Sequence, residues 1–191
     1  SLHDALPIYD GAEIKANEEG KYILPTGDEV TAVVTGSVTN VEDTVAGNNK
    51  ITEYAVANAG NYNSIQTVNG TLAITPRQVT LTSASDSKAY DGTPLTRPDV
   101  TVGGEGFVSG EATAKATGSA LNAGESVTNT IEIVEGKGYK EDNYTITKLP
   151  GTLTVTASEK AIVITAASNS WMYNGSAHSD GSYTVTYDGA D

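Results

Sequence analysis

The 191-residue chain has no cysteine, a single tryptophan, a single phenylalanine and only two histidines. The missing cysteine excludes disulfides, thiolate metal ligands and a cysteine nucleophile. No uninterrupted apolar run exceeds four residues, so no membrane-spanning helix and no apolar centre of a secretion signal can be drawn. Leu, Ile, Val and Phe make up about a fifth of the chain, near the level at which chains stay disordered. Only the patterning of those residues argues for a folded protein. Bases are scarce as well: 11 Lys and Arg stand against 24 Asp and Glu, a net charge of −13. Nucleic-acid binding leans on basic side chains, so that partner is set aside.

What is present is internal repetition. Tyr90-Asp91-Gly92 returns as Tyr173-Asn174-Gly175 and as Tyr9-Asp10-Gly11. The match extends upstream, where residues 79–92 align without a gap onto 162–175. Asn61-Tyr62-Asn63 answers Asn143-Tyr144-Thr145, Thr35-Gly36-Ser37 answers Thr117-Gly118-Ser119, and the block from Gly70 to Thr75 answers that from Gly151 to Thr156. Ordered blocks at a spacing of about 82 residues define a tandem repeat. Repeat 1 spans 9–76 without an opening strand, repeat 2 spans 77–158 with every block, and repeat 3 spans 159–191 as a partial copy expected to be poorly ordered by itself. All three are acidic, by 6, 3 and 3 charges, which keeps neighbouring units from sticking.

Within a repeat the apolar period is two. Val79 and Leu81 alternate with Thr80 and Thr82, Ile131 and Ile133 with Thr130 and Glu132, and Leu153 and Val155 with threonines. Such alternation marks half-buried strands, and Thr, Val and Tyr suit a pleated surface. Turn signals at Asp91-Gly92, Gly103-Gly104, Ala123-Gly124 and Pro150-Gly151 separate the runs. No helical stripe is sustained, and residues 40–49 are too rich in Asn, Gly and β-branched types for a helix. A single turn is expected near 107–111. The expected fold is all-β, tandem Ig-like sandwich modules; a β-grasp-like module with one short helix is the alternative.

Taken together, Tyr-Asp-Gly, Gly27-Asp28-Glu29-Val30, Ala59-Gly60-Asn61-Tyr62, Asp142-Asn143-Tyr144 and the closing strands resemble the YDG-type and MBG-type Ig-like repeats of bacterial surface and secreted proteins. The second repeat has Gly110-Glu111 where the first has Gly27-Asp28, and the third has Asn174 for Asp91. The resemblance implies a tandem spacer or stalk of an adhesin-like protein outside the cell. It carries no catalytic residue with it. Residues 1–8 resemble the translation of a short-read sequencing adapter (CAC GAC GCT CTT CCG ATC for His3 to Ile8), so they are left out of the fold and the chain is taken as a gene fragment.

Candidate chemistry is thin. His178 is the only histidine after residue 8 and reads as a loop residue. The adjacent acids Glu18-Glu19, Asp28-Glu29, Glu42-Asp43 and Glu141-Asp142 would point to opposite faces of a strand, which makes poor paired catalysts and good surface charge. A structural calcium is the one ion those acids suggest, and no ligand-spaced run supports it. Gly103-Gly104-Glu105-Gly106 lacks the Lys-Ser/Thr of a phosphate loop and reads as a hairpin turn. Asn69, Asn143 and Asn174 stand in glycosylation sequons but read as turn and strand-start residues.

The repeat-defining residues are Tyr9, Asp10, Gly11, Tyr62, Tyr90, Asp91, Gly92, Tyr144, Tyr173, Asn174 and Gly175. The repeated tyrosines are expected to pack in the core or at its edge, with Tyr90 buried. Trp171, whose counterpart in repeat 2 is Lys88, is the candidate exposed aromatic for a ligand. No enzyme activity and no cofactor are expected. The expected partners are neighbouring repeats, with a surface glycan or host protein as the rival reading and an accessory module of a secreted enzyme as a third. Because residues 77–158 hold a full set of strands, that segment expressed alone should give a β-type circular dichroism spectrum and one unfolding transition.

Overall fold

A computed structural model describes residues 14–24 and 26–189, with side chains from residue 21. Repeat 1 contributes β1 (Ile14–Ile23), β2 (Glu29–Val38) and β3 (Lys50–Val56), an antiparallel sheet in that order with a register shift at Val33/Val34. Repeat 2 begins with β4 (Arg77–Ser83), β5 (Asp86–Ala89), β6 (Leu95–Thr96), β7 (Val100–Gly104) and β8 (Ala112–Ala116). It continues with β9 (Ser119–Ala120), β10 (Ser126–Asn129), β11 (Ile131–Glu135), β12 (Tyr144–Leu149) and β13 (Gly151–Thr156). Repeat 3 adds a hairpin of β14 (Ile162–Ala166) and β15 (Tyr183–Tyr187). The chain is all-β and sandwich-like. The only helical pieces among the described residues are three single 3-10 turns, so the β-grasp alternative lacks its helix. The stretch 107–111 forms a hydrogen-bonded turn from Glu111 N to Val108 O.

The second repeat is organised by two long strands that run parallel and bend together. β4 pairs in parallel with β12, and β5 with β13, at one constant offset: Arg77 lies opposite Tyr144 and Asp86 opposite Leu153. The bend falls at Ala84 and Ser85 on one strand and at Pro150 and Gly151 on the other. Pro150 has no N–H to lose there. A Cβ on Gly151 would overlap the Ala84 carbonyl and lie 2.6 Å from Ser85 N, so only glycine lets the two backbones meet. The bend moves each strand from one sheet, ordered β12-β4-β7, to another, ordered β10-β13-β5.

A bend in paired strands leaves backbone groups without ladder partners, and buried ones must be satisfied. Side chains do this. Ser83 Oγ accepts from Gly151 N (2.9 Å) and donates to Asn129 O (2.6 Å), while Ser85 Oγ accepts from Thr152 N (2.9 Å). Asn129, fully buried, donates from Nδ2 to the carbonyls of Ala84 (3.1 Å) and Arg97 (2.9 Å) and accepts at Oδ1 from Gly118 N (3.0 Å). Gly118 must be bare, since a Cβ there would sit 2.7 Å from Asn129. Repeat 1 keeps the same pieces. A Cβ on Gly36 would sit 2.8 Å from Asn49 Oδ1, and Asn49 bridges Gly70 as Asn129 pairs with Gly151.

Alternation along β4 and β13 sends Val79, Leu81, Leu153 and Val155 inward to between 0 and 1% exposure. Each such side chain stabilises the fold by about 1.5–3 kcal/mol. Leu153 and Val155 pack with Leu95 and Ala120 in one cluster; Val79 and Leu81 belong to another that also holds Ile131, Tyr144, Val38 and Ile74. The glycines at 103 and 104 do not make a hairpin. β7 pairs with β4 whereas β8 pairs with β11, so the following loop crosses between sheets, and Gly104 is bare because a Cβ would sit 2.6 Å from Gln78 O.

Asn129→Ala should destabilise repeat 2 by about 2–4 kcal/mol, because two carbonyls and one N–H lose their partner together. Chemical denaturation followed by tyrosine fluorescence measures the shift in midpoint.

Candidate functional site: the joint between repeats

Two of the repeated motifs meet through one hydrogen bond. Tyr144, 6% exposed, donates its hydroxyl to Glu111 Oε2 (2.7 Å) and accepts from Val108 N (3.2 Å). Its ring meets Phe107 edge-on at 5.2 Å and stacks on Tyr139 at 5.6 Å. In repeat 1 the equivalent Tyr62, half-buried, donates to Asp28 Oδ2 (2.7 Å), and Asn58 Nδ2 donates to Asp28 Oδ1 (2.6 Å). These bonds, Tyr62 first, hold the Asp28 carboxyl below its usual range. The Gly-Asp/Gly-Glu and Asn-Tyr signatures are therefore the two ends of a single tyrosine–carboxylate latch.

The Tyr-Asp-Gly motif is a turn. Asp91 Oδ1 accepts from Lys88 Nζ (2.7 Å), Thr93 Oγ1 (2.8 Å) and Thr93 N (2.9 Å), while Gly92 takes φ +82°. Asn174 repeats this with Ser176 N (3.0 Å) and Gly175 at φ +78°. An Asx side chain closing on the backbone two residues on, followed by left-handed glycine, explains why Asp and Asn alternate there. Lys88 above all, then Thr93, pulls the Asp91 carboxyl far below its usual value. The tyrosine of the motif is not a core residue. Tyr90 is 41% exposed and Tyr173 is 94% exposed. The expectation of a buried Tyr90 is corrected: β5 is an edge strand and the ring lies just beyond its end, where the backbone N–H of Tyr90 bonds Thr156 O (2.9 Å). Tyr9, Asp10 and Gly11 lie outside the described residues.

The most elaborate polar arrangement lies between repeats 1 and 2. Val38 and Ile74 of repeat 1, 1% and 4% exposed, share a core with Val79, Leu81 and Tyr144 of repeat 2. Above it, Asn143, 1% exposed, accepts at Oδ1 from Val41 N (2.9 Å) and donates from Nδ2 to Asn40 Oδ1 (2.9 Å). The 3-10 turn Val41–Asp43 is held for this contact by Asp43 Oδ2, which accepts from Asn40 N (2.7 Å) and Thr39 N (2.8 Å). Those N–H groups, Asn40 first, keep the Asp43 carboxyl below its usual value. Glu42 forms an exposed ion pair with Lys140, whose ammonium is pushed up by it. Asn48 ties the turn to the closing segment, donating to Asp43 O (3.0 Å) and Leu72 O (2.8 Å) and accepting from Leu72 N (2.6 Å). Repeat 2 builds the same kind of turn at its far end, where Glu125 accepts from Leu121 N and Asn122 Nδ2, each at 2.7 Å.

The remaining candidates fall into place singly. Trp171 is 49% exposed and stacks on His178 at 5.2 Å, and Nε2 of that histidine meets Asn174 Oδ1 at 3.0 Å. Its exposure follows from the lack of a described closing strand beside it and does not single out a ligand. The adjacent acids do separate jobs: Asp28 latches Tyr62 while Glu29 pairs with Lys21 (2.5 Å), and Asp43 caps a turn while Glu42 faces Lys140. Asp28, Asp43, Glu111 and Glu125 are thus specific acceptors rather than plain surface charge. Among the described residues no three His, Cys, Asp or Glu side chains stand together as a metal site, and no helix is long and apolar enough to cross a membrane. The structural importance of Asn129, Asn143 and Ser83 was missed in sequence; the repeated Thr-Gly-Ser block, bare beside Asn49 and Asn129, was a trace of the first, and the repeated Asn-Tyr at 61–62 and 143–144 of the second.

The chain matches no protein-family model, no curated protein and no solved structure.

Two outcomes are expected. Tyr144→Phe leaves the buried Glu111 without that donor and should cost about 1–3 kcal/mol, whereas Tyr90→Ala should shift stability by less than about 1 kcal/mol; denaturation midpoints of the pair decide this. Asp43 titrates below its ordinary 3.8 in the folded chain. Its contribution is therefore complete above that value and is lost as pH falls through the lower native one. Asp43→Asn should lower stability at neutral pH by about 1 kcal/mol, as loss of a cap does, and flatten the acid limb of a stability–pH curve.

Proposed function

We propose that the chain is a segment of a bacterial surface or secreted protein, in which tandem all-β repeats serve as a non-catalytic spacer that holds an adhesive region away from the cell. The resemblance of its motifs to YDG-type and MBG-type repeats supplies the setting. The observation that carries the mechanical part is the joint. Repeat 1 reaches repeat 2 through the short link at Pro76, a shared apolar core and the Asn143 bonds to Asn40 and Val41. A flexible tether would have none of these. A spacer gains from such a joint because bending would require breaking buried hydrogen bonds and exposing Val38 and Ile74.

Small-angle scattering of the chain should give an elongated profile at physiological salt. Asn143→Ala combined with Lys140→Ala should broaden the distance distribution while leaving the β-type dichroism unchanged. A near-spherical profile for the parent protein would remove the spacer reading and favour a binding site formed between facing repeats.

A further inference from the structure

The turns at Asp91-Gly92 and Asn174-Gly175 share a shape but not a chemistry. In both, the side-chain oxygen accepts from the backbone N–H two residues on, and the glycine takes a left-handed φ. In both, a side-chain nitrogen adds a further bond to that oxygen: Lys88 Nζ at 2.7 Å on Asp91, and His178 Nε2 at 3.0 Å on Asn174. The donation from Ser176 N fixes which end of the Asn174 amide is oxygen, so the histidine nitrogen facing it carries a proton. Stacking on Trp171, with the rings 6° from parallel, holds the imidazole in place. A carboxylate bonded in this way is inert. An amide is not, because two donors on its oxygen draw electrons from Cγ, the carbon that the next backbone nitrogen can attack.

We propose that Asn174 is a self-modifying site, at which Ser176 N–H and His178 promote loss of the side-chain amide as ammonia. Gly175 N gives its proton to solvent and bonds to Cγ of Asn174; the Cγ–Nδ2 bond then breaks and ammonia leaves, closing a five-membered imide. Between the two events negative charge collects on Oδ1, opposite Ser176 N and His178 Nε2. Water opens the ring at either carbonyl, giving aspartate or its isomer joined through the side chain. The sum is amide plus water to carboxylate plus ammonia. Glycine at 175 leaves the attacking nitrogen unhindered by a side chain. Gly175 N donates no hydrogen bond among the described residues, and neither does Gly92 N in the complete repeat, so a free nucleophile belongs to the turn itself. Water reaches the turn in that complete repeat too, where the Asp91 side chain is 57% exposed. Aspartate at 174 restores the residue that stands at 10 and 91, with His178 as its donor in the place of Lys88. The other Asn-Gly pair of the chain, Asn69-Gly70, is a built-in comparison. Gly70 N is tied to Asn49 O (2.9 Å) and Asn69 Oδ1 accepts from Ile51 N (3.1 Å), so attack there requires breaking a backbone bridge.

Incubation of the 191-residue chain at neutral pH, followed by peptide mapping with mass spectrometry, reads both sites in one sample. Asn174 should convert to aspartate and its isomer well ahead of Asn69. In strong denaturant, where the turn and the bridge are both lost, the two should convert at similar rates. His178→Phe keeps a ring to stack on Trp171 but has no donor, and should slow conversion of Asn174 by about 2- to 10-fold, the rate equivalent of one exposed hydrogen bond made to the developing charge. His178→Ala should slow it to the same extent, and neither variant should change the rate in denaturant. The unfolding transition of repeat 2 and the rate at Asn69 report that the rest of each variant is folded as in the parent. Equal rates at Asn69 and Asn174 in the folded chain, a His178→Phe variant as fast as the parent, or the same slowing with and without denaturant would overturn the proposal.

Discussion

The second repeat depends on a pair of parallel strands that bend at the same point. The placing of Ser83, Ser85, Asn129, Gly118 and Gly151 follows from the cost of that bend. The Gly151 N–H turned out of the ladder is buried and the Ala84 carbonyl partly so, and an unpaired buried donor or acceptor costs about 1–3 kcal/mol. Ser83, Ser85 and Asn129 answer them with side-chain oxygens and an amide. Close approach then dictates where side chains cannot be: Gly151 against Ala84, Gly118 against Asn129. The reward is that one strand pair serves two sheets, with Val79 and Leu81 in one apolar cluster and Leu153 and Val155 in the other.

Repeat 1 is a natural comparison for what the opening strand does. It keeps the asparagine, the two glycines and the tyrosine–carboxylate latch, yet the described part has no strand in the place of β4. Its β1 pairs along β2 instead, and residues 62–69 stay outside any ladder. Among the described residues of repeat 1 the local motifs are formed, and no strand pair parallel like β4 and β12 is found. The latch is local because Asp28 and Tyr62 are brought together by the chain around β2 and β3. The strand pair is not local, since its partners are 67 residues apart, and such pairings need both strands before any stabilisation is gained.

The joint uses the same vocabulary in a different place. An asparagine again carries the buried polar work, Asn143 here and Asn129 in the bend, and an acidic residue again holds a turn by its backbone N–H groups. Asp43 and Glu125 occupy equivalent places, so repeats 1 and 2 carry the same turn, and the first of them meets Asn143 of the following repeat. Salt will weaken the exposed Lys140–Glu42 pair more than the buried bonds beneath it. Orientation at the joint therefore rests on Asn143 and the shared core rather than on charge.

Alternation of apolar and polar residues was enough to locate β4, β11 and β13 and to assign Val79, Leu81, Ile131, Leu153 and Val155 to the interior, because a strand's period of two is written into the chain itself. Self-comparison was enough to find the repeat and to mark Asp91-Gly92 as a turn. What repetition did not reveal is why each residue repeats. Tyr90 and Tyr144 look alike as recurring tyrosines, but one ends an edge strand in solvent and the other is latched to Glu111 in the core. Asn129 and Asn143 look like ordinary turn residues, and their burial is set by carbonyls and amides that arrive from strands far away in sequence. The direction of pairing was equally invisible, since a parallel and an antiparallel strand carry the same alternation. Tertiary structure decided these points because they depend on which backbone groups are left without partners once the strands have bent.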